Sequence, residues 1–111
     1  QDQMLEDLGV ALSTNISKEV VSRIHTPFKL QLAGESLILT DTAAAEKALK
    51  TFFNNHKALS FEYTTPANVT NGLLYRMGVY KAKTGEQYRV YLLFKEKDGK
   101  YYLSTLSFSR D

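Results

Sequence analysis

The last third of the chain, residues 73–108, constrains the fold more than any other stretch. It contains three long segments, LLYRMGVYKA, EQYRVYLLFKEK and KYYLSTLSFS, separated by two short turns that contain glycine. Alternation of apolar and polar residues with a period of two is typical of strands that bury one face. Short glycine-containing turns join antiparallel neighbours. The stretch therefore predicts a three-stranded meander that the rest of the chain must cover on one side.

The register of the last two strands depends on the turn at residues 97–99. A two-residue loop and a three-residue loop both fit this sequence. The three-residue loop, with Gly99 in the left-handed region, pairs Phe94 with Tyr102 and gathers the apolar side chains on one face. Because a shift of one residue moves every side chain to the other face, we predict the three-residue loop.

The turn at residues 83–85 leaves the register of the first two strands open. One register places the odd-numbered residues 75–79 on the apolar face of the meander, and the other places the even-numbered residues 74–80 there. The turn does not choose between these two registers, and both stay open.

Three stretches before the meander have the apolar spacing of a helix. Residues 3–14 form one apolar stripe that ends at Asn15, a residue that tolerates a left-handed C-terminal cap. Ser17 can cap a second helix over residues 18–25. The most regular pattern predicts a helix over residues 42–56, whose alanine, leucine and phenylalanine side chains share a face wide enough to lie across a sheet.

Short alternating segments predict the remaining strands and complete the fold class. Residues 28–32 and 36–40 form a strand or hairpin, and residues 59–64 form a strand that ends before Pro66. Helices on one face of an antiparallel sheet are the natural packing for this order. We predict an α+β fold in which the N-terminal helices and one long helix pack on a curved antiparallel sheet and enclose a cone.

Length and composition fit one globular domain over residues 1–111, with a mass of 12.6 kDa. The net charge of +2 is too small to indicate a nucleic-acid partner, although residues 72–111 hold eight basic and four acidic side chains. No apolar run approaches the ~18 residues of a membrane span. Cysteine is absent, which excludes disulfides, thiol nucleophiles and thiolate metal sites.

The order of elements resembles the nuclear transport factor 2-like (cystatin-like) superfamily. The run YRVYLLFKEKDGKYYLSTLSF, with AEKALKTFF and SKEVVSRI upstream, is similar to a family of small exported domains of unknown function from Bacteroidetes-type bacteria. The resemblance covers nearly the whole chain and rests on structural motifs. It implies a cone-shaped fold and an exported location, periplasmic or extracellular, and it carries no assigned activity.

Few residues are candidates for chemistry. Neither His25 nor His56 has an acidic residue at a spacing that suggests a dyad, and the two are not at a metal-ligand spacing. Glu62 lies mid-strand between two aromatic residues, so we expect it to face away from the apolar side. We therefore predict no catalytic residues, no metal site and no cofactor.

The least ordinary feature is the distribution of tyrosine. Six of the seven tyrosines lie on the three final strands, where a large apolar ring with a polar tip suits a ligand pocket or a protein interface. Interleaved arginines can bind an anionic group or stack on a ring. The predicted binding residues are Arg76, Tyr80, Arg89, Tyr91 and Tyr101.

These observations favour a non-catalytic module of an exported bacterial protein that binds a small ligand or a protein partner, including a second copy of itself through the sheet face. One alternative is a small enzyme of the isomerase or hydratase type that uses Glu62, or a tyrosine–arginine pair, inside the cone. The other is a structural accessory domain whose vestigial pocket is closed by Phe52, Phe53 and strand side chains.

Overall fold

The structure of this protein, a computed structural model, describes residues 2–110, with side chains from residue 3 onward, and folds them into three helices and seven strands. In chain order these are α1 (Asp2–Thr14), α2 (Ser17–Val21), β1 (Ile24–Leu32), β2 (Glu35–Leu39), α3 (Thr42–Asn55), β3 (Ala58–Tyr63), β4 (Asn68–Thr70), β5 (Leu73–Ala82), β6 (Gln87–Lys97) and β7 (Lys100–Arg110).

The seven strands form one sheet in the order β2-β1-β7-β6-β5-β3, with β4 paired to β5. The helices pack on one face of this sheet, which we call the inner face: the Phe52 ring lies 4.7 Å from that of Phe108, and the Tyr63 hydroxyl donates to the carbonyl of Leu5. The opposite face is the outer face. The predicted α+β class is confirmed, with one addition to the antiparallel arrangement: β1 and β7 pair in parallel.

The predicted three-residue turn between β6 and β7 is wrong. Asp98 and Gly99 both have positive φ and form a two-residue turn, as expected for an Asp-Gly pair in a type I′ hairpin. Phe94 therefore pairs with Leu103, and Tyr102, its predicted partner, lies on the outer face.

A bulge reconciles this turn with one apolar face. The register shifts beside Leu93, which pairs with Thr105, so that Ser104 is the extra residue on β7. An extra residue reverses the alternation beyond it. Leu106 and Phe108 consequently return to the inner face, where both are fully buried.

The register of β5 is the second of the two alternatives that the sequence left open. The even-numbered residues 74–80 lie on the inner face, opposite the even-numbered residues 88–94 of β6. Gly78 allows β3 to approach closely, because a Cβ at this position would lie 2.6 Å from the carbonyl oxygen of Glu62 and 2.7 Å from the ring of Phe61. A side chain at residue 78 would therefore push the two strands apart.

Two of the three predicted helices have the expected extent. α1 ends at Thr14 and is followed by Asn15, whose φ of 61° is left-handed. The carboxylate of Asp41 accepts a hydrogen bond from the first turn of α3. α2 is shorter than predicted and has no side-chain cap from Ser17. Ile24 and His25 belong to β1 instead, because Ile24 pairs with β7. No helix of the described residues is long and apolar enough to cross a membrane.

Aromatic residues fill the space between α3 and the sheet. Phe53 stacks on Tyr80 with ring centroids 6.2 Å apart, and Phe108 contacts Phe52, Phe53 and Tyr80 edge-on or tilted. The side chains of Tyr80 and Phe108 are fully buried. The middle of the predicted cone is therefore packed.

Candidate functional site

The five predicted binding residues do not form one site. Arg89 and Tyr91 lie on the outer face of β6, whereas Arg76, Tyr80 and Tyr101 lie on the inner side of the sheet. The sequence pattern groups them because it leaves the register of β5 open and favours the wrong register for β7.

Tyr80 is a structural residue. Its hydroxyl accepts a hydrogen bond from the amide of Asn15 at 2.8 Å and donates to the carbonyl of His56 at 2.5 Å. The amide oxygen of Asn15 also accepts from the backbone of Ala58 at 2.8 Å. Burial raises the pKa of Tyr80 to about 12. This network ties the end of α1, the end of α3 and β5 together.

Arg76 is likewise engaged within the fold. Its guanidinium carbon lies 4.2 Å above the ring of Tyr63, and its Nε donates to the carbonyl of Thr65 at 2.6 Å. Burial raises the pKa of Tyr63 to about 12, against the opposing effect of Arg76. The two side chains, with Leu5 and Glu6, line a depression of about 280 Å³.

Tyr101 is half-buried near the tip of the β6–β7 hairpin. It lines an open depression of about 550 Å³ together with Met4, Arg23 and Tyr102. The Arg23 guanidinium is bound to Glu19 at 2.9 Å on one side of this depression. Its charge is therefore already compensated within the protein.

Glu62, which the enzyme alternative requires inside the cone, does not lie there. Glu62 is exposed and pairs with Val79 on the outer face. Its predicted orientation, away from the apolar side, is thus confirmed. Among the described residues, no group of three or more histidine or acidic side chains could hold a metal ion.

The structure brings together one pair that sequence reasoning missed. His56 Nδ1 lies 2.8 Å from Glu86 Oε1 and 3.2 Å from the Tyr88 hydroxyl. Hydrogen bonds from Thr84 and from His56 hold the pKa of Glu86 below its ordinary value. His56 ends α3 and Glu86 lies in the β5–β6 turn, so no short sequence spacing could have indicated the contact.

The centre of the outer face carries an apolar block. Its members are half-buried, lie on the neighbouring strands β5 and β6, and are not covered by any described helix. We call Tyr75, Met77, Val79, Tyr91 and Leu93 the outer apolar patch. Met77 pairs with Tyr91 and Tyr75 with Leu93, and the two tyrosine rings lie 6.3 Å apart.

Basic side chains surround the outer apolar patch. Lys81 and Arg89 lie toward one end of it and Lys95 toward the other, while Lys29 is exposed on β1. Glu62 is an acidic group on the same face. An apolar centre with a charged rim is the usual anatomy of a protein interface, and here the rim is predominantly positive.

Comparisons with known proteins agree with the fold and provide no activity. A family model described as "Domain of unknown function (DUF4783)" matches residues 5–109. No protein of curated function matches the chain. The crystal structure of a DUF4783 family protein from Bacteroides uniformis is 21% identical, with a TM-score of 0.86, and covers 96% of this chain and 95% of that one.

Two more distant structures place the fold in a wider group. An uncharacterised protein with a cystatin-like fold from Caulobacter vibrioides is 14% identical, with a TM-score of 0.72, and covers 99% of this chain and 86% of that one. A putative dehydratase from the NTF2-like family of Streptomyces avermitilis is 12% identical, with a TM-score of 0.73, and covers 99% and 92%. These likenesses confirm the predicted cone-type fold, which nuclear transport factor 2-like and cystatin-like proteins share.

Proposed function

We propose that this chain, which belongs to the DUF4783 family of domains of unknown function, is a non-catalytic protein-binding module. Its outer apolar patch docks on a protein partner with an acidic surface. The observation that carries the proposal is the outer apolar patch itself, five half-buried apolar side chains on a face that the described helices leave uncovered. Contiguous exposed apolar surface with a polar rim is typical of interaction sites.

The inner side supports the non-catalytic part of the proposal. Two predicted binding residues of the inner side are held by the fold: the Tyr80 hydroxyl bonds to Asn15 and His56, and the Arg76 Nε donates to the carbonyl of Thr65. Phe52, Phe53 and Phe108 fill the space where a substrate would lie in an open cone.

The charge of the rim supports an acidic partner rather than a second copy of the chain. A symmetric dimer through this face would set the basic rim of one copy, with Lys81 and Lys95, against the same basic rim of the other copy, and like charges across an interface are unfavourable. An acidic surface complements these groups and accelerates encounter at low salt. A homodimer is thus the alternative occupant that the experiment must separate.

The proposal includes an exported location, periplasmic or extracellular, which rests on the sequence resemblance to an exported family. Its test is protease accessibility of the chain in intact cells of the source organism, with and without disruption of the outer membrane. A chain that is degraded only after complete lysis would contradict export.

The binding surface is tested by site-specific photo-crosslinking in those cells. A benzoylphenylalanine replaces Tyr91, a half-buried aromatic residue whose replacement preserves the ring, and the same probe replaces Lys50, which is exposed on α3. We expect the probe at residue 91 to capture one protein with an acidic surface, and the probe at residue 50 to capture none.

Charge reversal supplies the matched control. Lys81→Glu with Lys95→Glu should reduce capture by the residue 91 probe at least tenfold, whereas Lys50→Glu with Lys57→Glu, two exposed lysines elsewhere, should leave it unchanged. Crosslinks only between two copies of this chain would contradict the acidic partner and show a homodimer instead. Equal capture by the probes at residues 91 and 50 would show that the outer apolar patch is not a specific binding surface.

A further inference from the structure

A second surface feature lies on the opposite side of the molecule from the outer apolar patch. It is a groove of about 440 Å³ between α3 and the β1–β2 hairpin. Ala44, Ala48 and Phe52 recur every four residues along α3 and so lie on one side of the helix, and His56 follows the last residue of α3. All four line the groove, and Leu37 of β2 lies on the hairpin side. The groove is therefore apolar for most of its length and has an imidazole at one end.

Small residues create this groove. Ala44 and Ala48 stand where larger side chains would fill the gap between helix and hairpin, and Ala48 and Leu37 remain only half-buried. Sites for small molecules are usually concave, mostly apolar and supplied with a few polar groups that fix orientation. The volume lies within the range of such sites.

The imidazole at the end of the groove is held in one orientation. Glu86 binds His56 Nδ1 at 2.8 Å, and the ring packs on Phe52 with centroids 4.8 Å apart. Because a carboxylate can only accept, the proton of a neutral imidazole resides on Nδ1 in this contact. Nε2 is then the nitrogen through which His56 can bind a ligand.

We propose that this groove binds a small carboxylic acid with an apolar body, with its carboxylate at His56 Nε2 and its body along Ala44, Ala48 and Phe52. In this arrangement the imidazolium lies between two carboxylates, that of Glu86 and that of the ligand. The ligand arrives as the anion and the imidazole takes one proton from solvent. Binding of the anion to a neutral imidazole therefore takes up one proton from solvent.

The remaining charges around the groove favour an anion at the His56 end and not at the hairpin end. Lys47 lines the groove on the α3 side and adds a positive charge, while Glu35 lies at the hairpin end and disfavours an anion there. Arg110 lies 5.7 Å from the Tyr88 ring, behind the pair formed by His56 and Glu86. Among the described residues, the titratable or charged groups near the imidazole or along the groove include Glu86, Tyr80, Tyr88, Arg110, Lys47 and Glu35.

The direct test is titration calorimetry with 2-naphthoate at pH 6 and pH 8, in buffers of different ionisation enthalpy. Imidazoles change charge in this interval, and linkage to one proton changes affinity at most about tenfold per pH unit. We expect binding about fivefold or more tighter at pH 6, with measurable proton uptake at pH 8. The neutral analogue 2-naphthalenemethanol should bind at least about fivefold more weakly than 2-naphthoate at pH 6 and without pH dependence.

Three variants locate the site. Ala48→Leu should abolish binding by filling the groove, and its matched control Ala43→Leu, on an exposed position of the same helix, should bind as the wild type. His56→Gln retains the backbone carbonyl that Tyr80 uses and should lose both affinity and pH dependence. Glu86→Gln, a change in a positioning residue, should reduce the pH dependence more than the affinity at pH 6.

The outcomes separate clearly, provided that circular dichroism shows each variant to be folded. Absence of 2-naphthoate binding to the wild type at millimolar concentration would overturn the proposal. So would unchanged binding in Ala48→Leu, or equal binding of the neutral alcohol. Because His56→Gln leaves the groove open and Ala48→Leu leaves the imidazole in place, failure of one variant to fold still leaves a decisive measurement.

Discussion

The two faces of the same three strands use tyrosine in opposite ways. Tyr80 and Tyr88 of the inner face are buried, and their hydroxyls contact His56. Tyr75 and Tyr91 of the outer face are half-exposed, and the contact between their rings spans two strands. One residue of offset along a strand thus separates a side chain that holds the fold together from one that is available to a partner.

The comparison explains why composition alone could not locate the binding surface. A tyrosine-rich meander looks uniform as a sequence, yet its inner tyrosines are fixed by groups from α1 and α3, such as Asn15. Outer tyrosines have no such contacts with the described helices. Equivalent truncations on the two faces should therefore differ in free energy of unfolding by roughly 2–4 kcal/mol.

The largest effect should come from Phe108→Ala. Phe108 is fully buried and its ring lies 4.7 Å from that of Phe52 and 5.5 Å from that of Tyr80. Removal of a buried phenylalanine ring costs about 3–5 kcal/mol. Urea unfolding should show this loss, and Tyr91→Ala on the outer face should lose about 1 kcal/mol or less. Similar losses for the two variants would mean that the faces are energetically alike.

The next effect should come from Asn15→Gly, which retains the left-handed backbone and removes the amide. Three groups then lose a partner: the Tyr80 hydroxyl, the backbone N–H of Ala58 and the carbonyl of Leu12. A buried polar group without its partner costs about 1–3 kcal/mol, so thermal or urea unfolding should show a loss of about 3 kcal/mol.

Asn71→Gly is the matched control for this prediction. Asn71 also has positive φ, at 51°, but it is exposed in the turn before β5. Glycine accepts that backbone conformation without strain, so the free energy of unfolding should change by only about 0.5 kcal/mol. A loss equal to that of Asn15→Gly would show that the backbone conformation, not the amide network, carries the effect.

The local sequence pattern was sufficient to predict most of the helices and strands. It did not predict the contacts between side chains that are far apart in the sequence. The alternation in residues 73–108 and the apolar face of α3 are properties of single segments, which is why they were predictable. The β6–β7 register was not, because the Asp-Gly turn and the apolar alternation conflict until a bulge at Ser104 intervenes. Two adjacent polar residues, Ser104 and Thr105, between Leu103 and Leu106 were the available signal.

The candidate sites were less predictable for the same reason. Whether Arg76 and Tyr80 face inward depends on the register of β5, which two turn geometries left open. The pair formed by His56 and Glu86 arises only when the end of α3 meets the β5–β6 turn. Side chains that meet through tertiary packing leave no periodic mark in the sequence.

Alkaline pH should weaken the inner face by a smaller amount. The pKa of Tyr80 is about 12 because the side chain is buried, whereas an unfolded tyrosine ionises near 10. A raised folded-state pKa gives stability that is complete below pH 10 and is lost as the pH rises toward 12. The loss attributable to Tyr80 is about 2 kcal/mol.

Urea unfolding between pH 8 and pH 12 measures this loss. Tyr80→Phe, although less stable at pH 8, should have a flatter profile. Tyr63, with a pKa of about 12, should supply a remaining slope that Tyr80→Phe with Tyr63→Phe reduces further. A profile that is identical in the wild type and Tyr80→Phe would contradict the assigned pKa.

The smallest effect on stability should come from the outer pair, and its value lies in the contrast with function. Tyr75→Ser with Tyr91→Ser removes a ring contact of 6.3 Å between half-exposed side chains, and cross-strand aromatic pairs contribute about 0.2–1 kcal/mol. We expect a loss of about 1 kcal/mol in urea unfolding and a native circular dichroism spectrum. Partner capture by a photo-crosslinking probe placed at Val79, on the same patch, should nevertheless fall at least tenfold. Retained capture in the folded double variant would show that the outer tyrosines are not the contact. Loss of capture would locate the contact at these tyrosines, because a variant with an intact fold can lose capture only through the surface that it alters.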